Sequence, residues 1–124
     1  MNRSGEAVKK ASQFYKTKPE HIFVLHDDSD IILGQTKMSF GRSSAGHKGV
    51  DSIIKHLKTK NFWRFRIGIG RKKHVLAEDI VLKKLTPKDR EILKTVEKKT
   101  IAAILTSITD GPDIAMNEYN KAAS

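Results

Sequence analysis

Apolar and polar positions along the chain switch repeatedly between helical and extended spacing. Behind Ser4, Ala7, Val8, Ala11, Phe14 and Tyr15 recur at intervals of three and four, which predicts an amphipathic helix capped by Ser4 and running to about Tyr15. Lys18-Pro19 ends it. From His21 to His26 the residues are apolar without alternation, the pattern of a strand buried on both faces of a sheet, and such strands need helices on either side. Gln35 to Phe40 alternates, with Thr36, Met38 and Phe40 on one face and Gln35, Lys37 and Ser39 on the other.

Val50, Ile53, Ile54 and Leu57 then form a stripe on a helix running to about Lys58, whose polar face carries Lys55 and Lys58. Asn61 to Gly70 alternates again, setting Trp63, Phe65, Ile67 and Ile69 against Arg64 and Arg66. Thr86-Pro87-Lys88-Asp89 has a capping residue, a proline at the first helical position and an acid three residues on from the cap, a strong helix start. Leu93, Val96, Thr100, Ile104 and Ile108 carry that helix to Asp110-Gly111-Pro112, and a short helix from Asp113 to about Asn120 closes the chain. Helices and strands therefore alternate, which predicts a single α/β domain built on a mixed, twisted, open sheet with helices on both faces. It starts on a helix and has only three good strands, few for such a sheet.

At 124 residues, with 38% apolar and 31% charged side chains, the composition is that of a globular protein. No run of eighteen apolar residues offers a membrane span, and the first residues lack the apolar stretch of a secretory signal. Zero cysteines exclude disulfides and thiolate chemistry and point to a reducing compartment, the cytoplasm. The net charge of +10 is unevenly placed. Residues 31 to 74 carry eleven basic side chains against one acid, Asp51, whereas both ends are balanced. Segregation of this kind suits a surface that neutralises a phosphate backbone.

Chemistry concentrates between Ile22 and Gly49. The strand Ile22-Phe23-Val24-Leu25 delivers His26-Asp27-Asp28-Ser29-Asp30, and a small-residue loop follows that ends in Gly46-His47-Lys48-Gly49. Four ionisable side chains in five residues resist burial unless something compensates them, so the cluster reads as a site. The alternative is an acidic turn that only ends a strand. Asp28-Ser29-Asp30 lacks the further ligands and glycine of a calcium loop, although a carboxylate pair after a strand can hold magnesium for phosphoryl transfer. Gly68-Ile69-Gly70 is not a dinucleotide fingerprint, since its third position is Lys73. Of the five histidines, His26 and His47 stand out, one beside the acids and one in a glycine-flanked loop.

Met1-Asn2-x-Ser4-Gly5, the His26 to Asp30 strand end, Gly46-His47-Lys48-Gly49, the run from Phe62 to Gly70 and Ala115-Met116-Asn117 together resemble bacterial peptidyl-tRNA hydrolases, in order and in spacing, over essentially the whole chain. The resemblance implies hydrolysis of the ester between a peptide and the terminal ribose of tRNA, without a metal or other cofactor. It implies that Asp27 orients a base histidine and that Asn2, His47 and Lys48 line the peptide-ester end. Lys48 stands where the family has an asparagine; a lysine can donate to an oxyanion or phosphate but cannot accept. Lys37, Arg42, Arg71, Lys72 and Lys73 are the expected contacts to the tRNA acceptor arm, and a monomer with no membrane partner is expected.

The family's N-terminal strand, its Asn-Pro-Gly turn and the base histidine of its Thr-Arg-His-Asn segment do not occur in these residues. The chain is therefore expected to correspond to the C-terminal two-thirds of the enzyme, through a late start codon or a real truncation, with a sheet left incomplete. A positioned general base contributes about 10²- to 10⁴-fold, so these residues alone should be a poor esterase. A non-catalytic RNA-binding remnant is the second reading, and a magnesium-dependent phosphoryl-transfer enzyme the third.

Overall fold

The computed structural model describes residues 3–70 and 85–122. Its elements are α1 (Ser4–Phe14), a turn of 3-10 helix (Pro19–His21), β1 (Phe23–Ile32), β2 (Thr36–Phe40), α2 (Lys48–Leu57), β3 (Trp63–Gly70), α3 (Pro87–Thr109) and α4 (Pro112–Ala122). The strands form one sheet in the order β1-β3-β2. Trp63 N–H, at the start of β3, donates to the carbonyl of Ile22, just before the start of β1, so the two neighbouring strands begin side by side and run parallel. Gly41 N–H donates to Phe62 and Gly68 N–H to Gln35, which makes β2 antiparallel to β3. The sheet is mixed and the class is α/β, as the alternation of elements requires.

Strand order accounts for two departures from the sequence pattern. β1 lies at an edge, so the apolar run expected to be buried on both faces leaves Leu25 49% exposed. β3 is central, so Arg64, expected on an outward face, is only 3% exposed between the buried Trp63 and Phe65. Glycine is needed twice on this strand because neighbouring backbone comes close: a Cβ on Gly68 would lie 2.2 Å from the Ile32 carbonyl oxygen, and one on Gly70 2.4 Å from that of Ser29. The Gly68-Ile69-Gly70 run thus has a steric reason.

The chain divides into two compact units, Met1–His26 with Ser39–Arg64 and Asp27–Met38 with Phe65–Ser124. In the first, Val50, Ile53 and Phe62 form a core flanked by Val8, Ile22, Val24, Ile54 and Leu57, so the expected α2 stripe packs as its spacing requires. α1 docks closely on α2: Gly5 N–H donates to Ser52 Oγ at 3.1 Å, and a Cβ at Gly5 would fall 2.0 Å from the Ser52 carbonyl oxygen. Ser4 is the first helical residue of α1, with Arg3 at the cap position and no side-chain cap bond, so the expected Ser4 cap is not formed. Phe14 and Tyr15 are exposed and meet edge to face at 4.9 Å instead of joining the core.

In the second unit Phe65 meets Tyr119 edge to face at 5.3 Å, and Met38, Val96, Ala103, Ala115 and Tyr119 are buried. Thr86 and Asp89 form the expected reciprocal cap of α3. The buried line on α3 runs through Val96, Thr100, Ala103 and Ser107. Ile108, expected on that line, is instead 75% exposed.

Candidate functional site

β1 carries the acid cluster, and its members have different roles. Asp28 is internally compensated: its Oδ2 accepts from Arg66 Nε at 2.9 Å, with both side chains largely buried, and its Oδ1 accepts from the Asp30 N–H at 2.9 Å. Those bonds hold the strand end in place. They also occupy the carboxylate that a magnesium reading would need as a ligand, and among the described residues no group of three or more histidine, aspartate or glutamate side chains is gathered as a metal site. Asp28 is scaffold, the alternative weighed for the whole cluster. Asp27, half-buried and one residue earlier on the same strand, is held by that scaffold.

His26 and His47 are brought together in the first unit, with ring centroids 4.8 Å apart and rings edge to face. His47 gets there through the loop after β2. Gly41 and Gly46 take positive φ, and so does Ala45, which turns the chain back. Ser44 Oγ donates to the Asp51 carboxylate and accepts from Gly46 N–H, and the Ser44 carbonyl accepts from His47 N–H. His47 then caps α2, its Nδ1 accepting from Val50 N–H at 3.2 Å. That bond requires an unprotonated Nδ1 and commits that nitrogen to structure.

Lys48 is the exposed first residue of α2, a cation at the positive end of the helix dipole. It opens an open groove of about 400 Å³ along α2 that Asp51, Ser52, Lys55 and His56 also line. The groove is absent from the sequence expectations, although Lys48 and Lys55 are seven apart and so lie on one helical face. His56 Nδ1 donates to the Ser52 carbonyl at 2.8 Å, which fixes its ring against the helix.

Lys37 is exposed on β2, and Arg42 is exposed in the loop that follows. Asn2, Arg71, Lys72 and Lys73 lie outside the described residues. Of the eleven basic residues of the central stretch, Arg64 and Arg66 are drawn inward, while Lys37, Arg42, Lys48, Lys55, Lys58 and Lys60 stay exposed. Five of those six belong to the first unit, which gives it a cationic surface. No helix among the described residues is long and apolar enough to cross a membrane.

A family model described as peptidyl-tRNA hydrolase matches residues 1–124. The peptidyl-tRNA hydrolase of Aquifex aeolicus is 40% identical over 124 residues, covering 98% of this chain and 64% of that protein. That of Thermodesulfovibrio yellowstonii is 41% identical over 123 residues, covering 98% and 66%. Among solved structures, the peptidyl-tRNA hydrolase of Acinetobacter baumannii superposes with a TM-score of 0.85 at 30% identity, covering 97% of this chain and 61% of that one. The chain thus spans about two-thirds or less of the length of these relatives.

Proposed function

We propose, from the premise that this chain belongs to the peptidyl-tRNA hydrolase family, that its residues contribute to hydrolysis of the ester joining a peptide to the terminal ribose of tRNA. One observation carries the reading: the Asp28–Arg66 pair fixes the strand end next to Asp27, so that the Asp27 carboxylate is held in set geometry.

Asp27 accepts an N–H from a histidine and stabilises the imidazolium that forms as that histidine takes a proton from water. The resulting hydroxide adds to the ester carbonyl. Collapse breaks the acyl–oxygen bond, and the ribose oxygen leaves with the proton returned by the imidazolium. The base is assigned to a histidine outside residues 1–124, in the part of the relatives' length that this chain does not span. Lys48 donates to the oxyanion or to the terminal phosphate, and Asn2 and His47 line the peptide end. Lys37, Arg42, Arg71, Lys72 and Lys73, with Lys55 on α2, contact the phosphates of the acceptor arm.

Residues 1–124 alone should bind tRNA and hydrolyse peptidyl-tRNA about 10²- to 10⁴-fold more slowly than when joined to the remaining segment of the Aquifex protein. In the joined protein, Asp27→Ala should depress turnover and leave tRNA affinity nearly unchanged, with EDTA without effect. Loss of turnover on chelation would overturn the mechanism. Tight tRNA binding with no turnover in the joined protein would favour the RNA-binding reading instead.

A further inference from the structure

α1 ends in a closed turn. Lys16 N–H donates to the Gln13 carbonyl and Thr17 N–H to that of Ser12, with Lys16 at φ 52. Those two bonds stop a helix on a left-handed residue, a place that favours glycine. A lysine holds it here. The two residues before it, Phe14 and Tyr15, are 79% and 74% exposed, and their rings meet at 4.9 Å with planes 80° apart. Two large aromatic side chains left in water on an ordered helix end mark a contact surface.

Charge and shape select the partner. Residues 7–19 carry Lys9, Lys10, Lys16 and Lys18, all exposed, and no acid. Lys10 pairs with Glu6 at 3.4 Å and shares a helical face with Phe14. The exposed lysines of α2 belong to the same compact unit, so the cationic surface includes both helices. Perpendicular rings form a notch, in which a flat ring stacked on one face meets the edge of the other. Cations beside open aromatic faces suit an unpaired nucleotide: the lysines take phosphates and the rings take a base. A lipid surface needs more apolar area than this. Besides the pair, the exposed apolar residues of α1 are only Ala7 and Ala11.

We infer that the Phe14–Tyr15 end of α1 is a stacking site for an unpaired base of RNA. The inference rests on the reading of the ligand as RNA and adds to the phosphate contacts a contact that only a single-stranded part can make.

Fluorescence anisotropy of the 124-residue chain at low salt tests this with two labelled probes, an oligouridylate of about 12 nucleotides and a blunt RNA duplex of the same length. The parent should bind both. Phe14→Leu and Tyr15→Leu, which keep apolar bulk and remove a ring face, should each weaken oligouridylate binding at least about fivefold and leave duplex binding within about twofold. Tyr15→Trp should bind oligouridylate at least as tightly as the parent. Leucine variants that bind oligouridylate like the parent overturn the inference, as does an equal loss for both probes. A parent that binds duplex but not oligouridylate overturns it alone, whereas a parent that binds neither overturns the RNA reading with it. Binding to anionic phosphatidylglycerol vesicles without binding to oligouridylate would assign the rings to a membrane surface instead.

Discussion

Asn120 supplies what the edge of the sheet lacks. Among the described residues β2 has β3 on one side only, so the outward N–H and C=O of Met38 have no strand partner there. The Asn120 carboxamide, on α4, takes both: its Oδ1 accepts from Met38 N–H at 2.6 Å and its Nδ2 donates to the Met38 carbonyl at 3.0 Å. One side chain thus imitates an adjacent strand over one residue and closes the edge. Met38 is 1% exposed, so Asn120→Ala strands two polar groups in a poorly hydrated place.

Each unsatisfied buried group costs about 1–3 kcal/mol. Asn120 is half-buried, so water entering the vacated space recovers part of that, and the expected net loss is about 2–4 kcal/mol. Against a domain stability of about 5–15 kcal/mol this is large, and it corresponds to a fall in melting temperature of roughly 8–15 °C. Asn120→Leu, which fills the space and keeps water out, should cost more than the alanine. Circular dichroism melts read the loss, and amide exchange at Met38 reads its location. If both variants melt within about 1 °C of the parent and Met38 exchange is unchanged, the edge-closing role is wrong.

Two further outcomes test the second unit. Arg66→Met should destabilise by about 3–5 kcal/mol because it leaves the Asp28 carboxylate buried without its partner, whereas Arg66→Met with Asp28→Asn should recover much of that in urea titrations. Lys99 donates to Thr36 Oγ1 at 2.8 Å and lies 4.8 Å from the Tyr119 ring centroid, yet burial lowers its pKa below the ordinary 10.5. Between its folded value and 10.5 the unfolded chain binds the extra proton, so Lys99 adds to stability as pH rises through that window. Stability measured at a series of alkaline pH values should climb less steeply in Lys99→Met, and equal slopes would remove burial as the cause.

Local order was legible where spacing alone decides it. The α2 stripe and the Thr86 cap follow from residue type and period, and the structure forms both; β2 and β3 form as strands but not with the expected alternation, since Ser39 and Arg64 are buried and Phe40 is exposed. What the sequence could not give is which strand lies in the middle. That single fact buries Arg64, exposes Leu25 and makes Gly68 and Gly70 obligatory, because all three depend on neighbours distant in the chain. The same limit applied to α3. Ile104 and Ile108 fit a core stripe as well as Ala103 and Ser107 do by period, and only the close packing of α3 with α4 favours the smaller residues.

The acid cluster shows why counting charges along a chain misjudges a site. Asp27 and Asp28 are adjacent and chemically alike, yet Asp28 meets a guanidinium that arrives from a strand 38 residues away. Arg66 is thereby removed from the cationic surface that the +10 charge implies, and Arg64 is removed by burial. The cations left exposed are mostly lysines around α2, flexible donors suited to tracking phosphates without fixed geometry. The arginines, with their planar fork, are placed where geometry is fixed. In the second unit the strand end is therefore held by an arginine, while the exposed cations of the first unit are mostly lysines. Replacing Lys48 and Lys55 by Gln should lower tRNA affinity and reduce the slope of log affinity against log salt by about 1–2. An unchanged slope would mean that the groove on α2 faces away from the nucleic acid.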